Sequence, residues 1–386
     1  MTTEQTRTGL ERAPRSETQW LGLVRELGPV FADRAAALDE QGAFVAENYA
    51  ELREHGFFSA GVPLEFGGGG LSHPALCGMV RDLARHCGST ALALSMHTHL
   101  VAAAVWRVRH GQPGEALLRR VAAEGLVLVS TGGRDWLASN GEMTRVEGGY
   151  RVTARKPFSS GCPAGSLLVT SARFEDPGEG ARVLHFAVPL SAPGVRVEED
   201  WHTLGMRGSG SHTVVLEDVF VSDAAVSLSR PRGEWHPVWG VVLGVAMPLI
   251  MAAYVGVAEA AAGQATEYAR RAPGEPHLPF LLGEMQNELT AARLALESMT
   301  ALSNDYDFQP TAEFADAILI RKTLCSRAVV AAVEKSLEVV GGMGFYRAFG
   351  LERLLRDVHG AAFHPLPEKP QHLFTGRLAL GLAPVP

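Results

Sequence analysis

The stretch EVVGGMGFYRAFGLERLLRD, residues 338–357, decides how the rest of this chain is interpreted. It closes a long amphipathic pattern, FADAILIRKTLCSRAVVAAVEKSLEVV, whose apolar residues recur at helical spacing. The glycines Gly341 and Gly342 follow this predicted helix at once. Because a glycine pair lets a ligand approach the backbone closely, we expect a bound molecule beside the end of the helix.

The sequence pattern changes twice along the chain, and these changes predict three domains. Residues 18–126 show amphipathic helical spacing, residues 127–234 contain short β-rich runs separated by Gly, Pro and Asp, and residues 235–386 are helical again. The polar residues 1–17 predict a flexible tail. No predicted strand leads into a GxGxxG motif, so a Rossmann fold is not indicated. The sequence predicts an α+β protein in which a β domain separates two helical domains.

The composition argues against several partners and sites. The net charge of −7 argues against nucleic acid, since phosphate backbones bind basic surfaces. The four cysteines are scattered without metal-ligand spacing, which predicts neither a metal site nor a disulfide framework. Together with a polar start that is not a signal peptide, this predicts a cytoplasmic protein. The uncharged residues 238–258 are rich in Gly and Ala and contain Pro248, so we interpret them as a buried bundle helix rather than a membrane span.

Two segments carry side chains that suit a flat aromatic cofactor with a diphosphate. KPFSSGC places Phe158, Ser159 and Ser160 in the β domain. YARRAPGEP ends a predicted helix with Arg270, and the guanidinium fork of arginine suits a pyrophosphate. In the alternative interpretation, the arginine only stabilises the negative end of its helix.

A pair of histidines provides candidates for substrate binding. His97 and His99 lie two residues apart on a predicted helix and so point to different faces, which does not suit a shared metal ion. We take both, together with Arg356, as candidate substrate-binding residues. The alternative for each histidine is a core residue whose hydrogen bonds are satisfied within the fold.

Four segments, in order along the chain, resemble signatures of the acyl-CoA dehydrogenase flavoprotein superfamily, which includes flavin-monooxygenase relatives. They are LREHGFFSAGVPLEFGGGGL, KPFSSG, LGMRGSGSHTVVLEDVFVS and the opening stretch. The resemblance covers nearly the whole chain. It implies an acyl-CoA dehydrogenase fold with an N-terminal helical domain, a central β-barrel and a C-terminal four-helix bundle. It also implies FAD bound across a subunit interface, in a homodimer or homotetramer.

The resemblance further implies which residues hold the flavin. Near the flavin ring it implies Thr131, Phe158, Ser159 and Ser160. Toward the pyrophosphate and the adenosine half it implies Arg270, Glu338, Gly341 and Gly342, with Glu338 standing where the family has a glutamine. Because relatives that take reduced FMN from a reductase often lose the glycine pair, FAD is expected rather than FMN.

One departure from the family pattern bears directly on the reaction. The glutamate that removes the α-proton of an acyl thioester is replaced by Pro365, and the tyrosine before it by His364. Some family members place the base instead at a position near Ala246, where this chain has no carboxylate. The remaining candidates for a base are His364, whose imidazole ordinarily titrates near neutral pH, and Glu368.

Three hypotheses for the function remain open. The leading one is α,β-oxidation of an acyl thioester on CoA or a carrier, or of a related carbonyl compound, by an atypical base, with electrons passing to an acceptor. The second is a flavin-dependent monooxygenase supplied by a flavin reductase, in which His364 lies near a flavin C4a-peroxide. The third is a non-catalytic partner subunit of a hetero-oligomer.

Overall fold

The computed structural model describes three ranges of the chain, 15–131, 135–272 and 274–386. Most of the predicted tail, residues 1–17, therefore lies outside the described residues. The end of that segment begins the first helix. The Ser16 hydroxyl accepts a hydrogen bond from the Gln19 amide, and the Gln19 side chain accepts one from the Ser16 amide. This reciprocal cap satisfies two donors that the start of a helix leaves open.

In the N-terminal part of the molecule, the described residues form five α-helices. They are α1 (Glu17–Gln41), α2 (Ala46–Glu54), α3 (His73–Ala84), α4 (Gly88–Arg109) and α5 (Glu115–Glu124). Helix α4 is buried along most of its length, because it packs against α3 and α5 and against the first strand and the central helix of the later domains. The helical prediction for this region is confirmed, and α4 passes through the middle of the molecule.

The described residues of the central region form one eight-stranded sheet. Its strands are β1 (Leu128–Ser130), β2 (Glu142–Val146), β3 (Gly149–Lys156), β4 (Leu167–Asp176), β5 (Gly180–Pro189), β6 (Val195–Glu198), β7 (Thr213–Ser222) and β8 (Val226–Pro231). The pairing order is β6-β7-β3-β2-β4-β5-β8, with β1 added beside β4. Strands β1 and β2 run parallel to β4, and the other neighbours are antiparallel. The sheet encloses a small core of its own that includes Val129, Val152, Leu168, Phe186 and Leu216.

The described residues after the sheet form five further α-helices. They are α6 (Pro237–Arg270), α7 (Leu278–Ser303), α8 (Ala312–Val340), α9 (Leu351–Val358) and α10 (Glu368–Ala379). Helix α6 packs against α3 and α4 as well as against α7 and α8, so nearly all of its faces are covered. This explains the uncharged residues 238–258. By length and composition α4 and α6 could each cross a membrane, but most of each is buried inside the protein.

Helix α9 carries one acidic and one basic side chain that bind residues far away in the sequence. The Asp357 carboxylate accepts a hydrogen bond from the Met206 amide, in the segment that precedes β7. Arg356 forms an ion pair with Asp39 of α1 at 2.6 Å. These contacts hold residues 359–365 beside α6, where several of them line a cavity.

Candidate active site

A cavity of about 490 Å³ lies between the sheet and helices α4 and α6. We call its two sides the sheet wall and the helix wall. The sheet wall includes Ser130, Trp136, Phe158, Ser160, Trp201 and Ser211. The helix wall includes Leu92, Met96 and His99 from α4, Trp239, Val242, Leu243, Ala246, Met247, Ile250 and Tyr254 from α6, and Gly360, Phe363, His364 and Pro365 from the segment after α9. Thr203, Leu204, Gly205, Met206, Arg356 and His359 also line the cavity. A cavity of this size with mostly apolar sides is typical of small-molecule and cofactor sites.

His364 projects into the helix wall and is paired with a buried tyrosine. The Tyr254 hydroxyl lies 2.7 Å from His364 Nε2. Gly360 makes room for this hydroxyl, since an added Cβ would lie 2.6 Å from it. Burial is the main cause that lowers the pKa of His364 from 6.5 to about 3, with smaller contributions from Lys322 and His99. Burial also raises the pKa of Tyr254 well above 10.0, so both side chains are neutral at pH 7.

Neither position at which the family places its base offers a carboxylate to the cavity. Ala246 and Pro365 both line it. The alternative candidate, Glu368, lies outside the cavity at the start of α10, where its carboxylate accepts a hydrogen bond from Arg327 at 3.0 Å. That hydrogen bond lowers the pKa of Glu368 to about 2. Of the two candidate bases, the structure brings only His364 to the cavity.

Two of the residues expected near the flavin ring do form the sheet wall. Phe158 has a side chain 48% exposed and a backbone φ of 61°, and its ring meets the Trp201 ring edge-on at 6.1 Å. The Ser160 hydroxyl lies 2.7 Å from the Ser211 hydroxyl. An exposed aromatic ring beside a pair of hydroxyls suits a flat ring system that has polar atoms along one edge. The sheet wall therefore fits a flavin ring.

Thr131 and Ser159, also expected at the flavin, lie behind the sheet wall instead. The Thr131 hydroxyl donates to the Asp135 carboxylate at 2.6 Å, and the Ser159 hydroxyl donates to the Lys156 carbonyl oxygen at 2.9 Å. Lys156 and Asp135 form an ion pair at 2.9 Å whose side chains are 0% and 5% exposed. Burial lowers the pKa of Lys156, and the Asp135 charge opposes that shift. Since Thr131 and Ser159 do not line the cavity, their place in this structure is in the support of the wall.

The residues expected at the pyrophosphate and adenosine half lie on the surface, outside the cavity. Arg270 ends α6 with its side chain 73% exposed, 3.6 Å from the Glu267 carboxylate. Glu338 on α8 accepts a hydrogen bond from Lys335 at 2.9 Å. Gly341 and Gly342 are exposed, and an added Cβ at either would have no atom within 4 Å. Within one chain these residues are not brought together with the cavity.

The two histidines of α4 have different surroundings. His97 lies outside the cavity, and both of its ring nitrogens meet backbone groups: Nδ1 accepts from the Leu128 amide at 2.9 Å and Nε2 donates to the Phe58 carbonyl at 2.7 Å. His99 lines the cavity, and its Nδ1 lies 3.3 Å from the Ser95 carbonyl oxygen. Burial lowers the pKa of each histidine to about 4. His97 thus joins α4 to β1, whereas His99 faces the site.

Arg356 lines the cavity, but its donors are already engaged. Its guanidinium forms a bidentate pair with Asp39 at 3.1 and 2.6 Å, binds Glu352 at 2.7 Å and donates to the Leu204 carbonyl at 2.9 Å. The two carboxylates raise its pKa above the ordinary range. Arg356 therefore acts as a structural link in this structure, with little capacity left for a substrate anion.

Several cavity residues were not anticipated from the sequence. Tyr254 is one, although it is the only hydroxyl side chain in the uncharged residues 238–258 and so carried a usable signal. The tryptophans Trp136 and Trp239 are others, and their rings lie 4.7 Å apart where the two walls meet. Trp201 completes the aromatic lining. Nothing in the local sequence places these three indoles around one cavity.

Three family models match the chain in succession. They are the N-terminal domain of acyl-CoA dehydrogenase over residues 24–125, the middle domain over residues 130–219 and the C-terminal domain over residues 241–363. The order of the matches is the order of the three regions of the fold. Together they span most of the chain.

Individual relatives include proteins with different activities. The putative acyl-CoA dehydrogenase YdbM of Bacillus subtilis (strain 168) is 28% identical, over 90% of this chain and 93% of its own length. The amino sugar nitrososynthase DnmZ of Streptomyces peucetius is 29% identical, over 89% of each chain. The solved structure of KijD3 in complex with FMN and dTDP-3-amino-2,3,6-trideoxy-4-keto-3-methyl-D-glucose is 28% identical and has a TM-score of 0.87, covering 96% of each chain.

Proposed function

The chain belongs to the acyl-CoA dehydrogenase family of flavoproteins, and on that premise we propose that it is a flavin-dependent monooxygenase. Such an enzyme transfers one atom of dioxygen to an organic substrate and releases the other as water, using two electrons and two protons. One observation carries the proposal. Of the lining residues that the structure describes, none is an Asp or Glu, so the cavity has no carboxylate to remove an α-proton.

The alternative hypothesis of α,β-oxidation would make His364 the base, and its surroundings do not favour that role. A general base works best when its conjugate acid has a pKa near the working pH. The pKa of His364 is lowered to about 3, which makes its imidazole a weak base toward a C–H proton. In addition, Nε2 already meets the Tyr254 hydroxyl. Oxygen transfer avoids this difficulty, because it requires no α-proton to be removed.

The relatives give the proposal further support. A nitroso group contains an oxygen that an amino group lacks, so the name of DnmZ describes oxygen transfer to an amino sugar. YdbM is named as a putative dehydrogenase, so family membership alone does not choose between the two reactions. We choose between them because no Asp or Glu is found among the described residues that line the cavity. A non-catalytic role receives no support, since the relatives named above include enzymes and this chain retains a formed cavity.

The chain's own side chains would hold the reactants and keep water out. When bound and reduced, a flavin supplies the two electrons that dioxygen needs. Phe158, Ser160 and Ser211 would hold its ring against the sheet wall. His364, fixed by Tyr254, presents a neutral imidazole to the cavity, where it can donate or accept one hydrogen bond. The apolar side chains of the helix wall exclude water from the reacting groups.

We infer that the flavin is FAD, with its adenosine half reaching the surface beyond the cavity. Arg270, Gly341 and Gly342 support this inference, because each is exposed and open to a neighbouring molecule. A second copy of the chain, in a homodimer or homotetramer, would complete that site. The similar structure of KijD3 contains FMN, so the identity of the flavin needs a direct test. Releasing the flavin by heat and separating it by chromatography distinguishes FAD from FMN.

The proposed reaction is tested by titrating the oxidised flavoprotein anaerobically with acyl-CoAs from butyryl to palmitoyl. The monooxygenase proposal predicts that the visible flavin band keeps its intensity with every thioester. Bleaching by any of them would show electron transfer from substrate to flavin and would overturn the proposal in favour of α,β-oxidation. The same sample, reduced by dithionite, provides the positive control for bleaching.

A further inference from the structure

The described part of the cavity lining offers no free Lys, Arg, Asp or Glu side chain to a substrate that carries phosphate or carboxylate groups. Among its described lining residues Arg356 is the sole Lys, Arg, Asp or Glu. Its guanidinium is occupied by Asp39 and Glu352. A buried anion needs charge-assisted partners to replace its hydration, and these walls supply none. We therefore expect the part of a substrate that occupies the cavity to be uncharged.

The helix wall and its junction with the sheet wall favour a flat ring system. Trp136 and Trp239 meet at 4.7 Å with their planes inclined by 44°. Met96 and Met247 add flexible thioethers to the same lining. Aromatic rings bind other aromatic rings through offset or edge contacts, and methionine sulfur also contacts ring edges favourably. Because the cavity must also receive a flavin ring, the space left suits one or two fused rings.

One nitrogen on the helix wall can accept a hydrogen bond from the substrate. The Ser95 carbonyl oxygen can only accept, so His99 Nδ1 carries the proton in the contact at 3.3 Å. The neutral ring then has Nε2 as an acceptor. Among the residues that the structure describes, no group donates to this Nε2, whereas the acceptor nitrogen of His97 is filled by the Leu128 amide. His99 thus brings an unused acceptor to the cavity.

We propose that the helix wall binds an uncharged aromatic group of the substrate, whose N–H or O–H group donates to His99 Nε2. The inference rests on the proposed function, since it names the substrate class of the same cavity. It assigns His99 as the residue that selects the substrate's polar atom. The indoles Trp136 and Trp239 select its flat shape.

Binding to the oxidised flavoprotein at pH 7 tests this substrate class without turnover. The probes are 2-naphthol, 2-methoxynaphthalene, 2-naphthoate and octanoyl-CoA, each titrated while the visible difference spectrum of the flavin is recorded. We expect saturable binding of 2-naphthol, and binding about tenfold weaker for 2-methoxynaphthalene, which lacks the donor. We expect no saturable change with 2-naphthoate, whose carboxylate finds no free cationic partner among the described lining residues, or with octanoyl-CoA, whose acyl chain carries neither a ring nor a donor. Equal binding of the two neutral probes, or tighter binding of either charged probe, overturns the proposal.

Variants of His99 separate recognition from a general loss of structure. His99→Leu removes the acceptor and should reduce the preference for 2-naphthol over 2-methoxynaphthalene to about onefold, while His99→Gln, whose amide oxygen accepts, should restore part of it. His277→Leu, on the surface at the start of α7, serves as the control and should keep the full preference. A preference that survives His99→Leu would place the acceptor elsewhere. If these tests fail, only the proposed substrate class is overturned. The acyl-CoA titration still tests the proposed monooxygenase reaction separately.

Discussion

The two walls of the cavity are held in place by different interactions. Behind the sheet wall lies a buried ion pair, in which Lys156 and Asp135 are surrounded by hydroxyls and carbonyls. On the helix wall, Tyr254 pairs with His364, and His99 meets a carbonyl. A buried pair of charges therefore supports the wall that fits the cofactor, whereas these pairs of the helix wall are uncharged. The difference separates a rigid support from a surface that can recognise an uncharged molecule.

Breaking the ion pair behind the sheet wall should have the largest effect. Asp135→Leu leaves Lys156 buried without its counter-charge, and we expect the free energy of unfolding to fall by about 3–5 kcal/mol. The double variant Asp135→Leu/Lys156→Met removes both charges and should recover most of that loss. Urea unfolding followed by circular dichroism measures both.

The exposed pair of Arg120 and Glu124 on α5 provides the control for this comparison. Glu124→Gln should leave the urea midpoint nearly unchanged, because water screens an exposed pair. If Asp135→Leu unfolded at the same urea concentration as the parent, the ion pair would contribute nothing to the support of the wall. The contrast between the two walls would then be lost.

A smaller effect is expected where the cofactor side reaches the surface. If Arg270 holds the pyrophosphate of FAD, Arg270→Ala should weaken flavin retention by about 1.5–3 kcal/mol, the usual worth of a hydrogen bond to a charged group. Arg271→Ala is a matched control, since this neighbour also pairs with Glu267, at 3.0 Å. Flavin retention is measured by equilibrium dialysis with absorbance of the bound fraction. Equal losses in the two variants would show that position 270 has no special role toward the flavin.

The neutral pair of the helix wall is tested by removing one hydroxyl. Tyr254→Phe deletes the partner of His364 Nε2 and should lower the rate of oxygen transfer about tenfold, the factor that corresponds to ~1.4 kcal/mol. Flavin content should stay at the parental level, because Tyr254 lies on the wall opposite the proposed ring site. Tyr268→Phe, farther along the same helix, should keep the parental rate. Loss of flavin from Tyr254→Phe would instead assign this tyrosine to the cofactor side.

Most of the fold and part of the site could be predicted from the sequence. The helical and β-rich regions followed from spacing and turn residues. Phe158, Ser160 and His364 line the cavity, and their roles toward a flavin or a substrate stay predictions. Ser159 lies between Phe158 and Ser160, and Thr131 follows Ser130, but both side chains turn away from the cavity to donate to Lys156 and Asp135. Local sequence does not show which of two neighbouring side chains faces a cavity.

The histidines of α4 show the same limit on a smaller scale. Their spacing predicts that His97 and His99 point to different faces of one helix, and they do. Which face borders the cavity depends on how α4 packs against β1 and α6, two segments far away in the chain. The ion pair behind the sheet wall could not be predicted for a similar reason, because its two residues lie apart in the sequence. Alternation along β3 directs Lys156 inward with Val152 and Ala154, but its carboxylate partner comes from outside the strand.

The smallest expected effect concerns the pH dependence of substrate binding, which we expect to be flat near neutral pH. Burial lowers the pKa of His99 from 6.5 to about 4, so its Nε2 keeps its lone pair at pH 5.5 and above. Binding of 2-naphthol should therefore be constant from about pH 5.5 to 8 and should weaken only as the pH falls toward 4, where protonation converts Nε2 into a donor. The His99→Gln variant lacks this titration and should show no loss of binding down to that pH. A midpoint near pH 6.5 in the parent protein would mean that His99 is solvated like an ordinary histidine. His99 would then become charged near neutral pH, and the contrast with the charged ion pair behind the sheet wall would be lost.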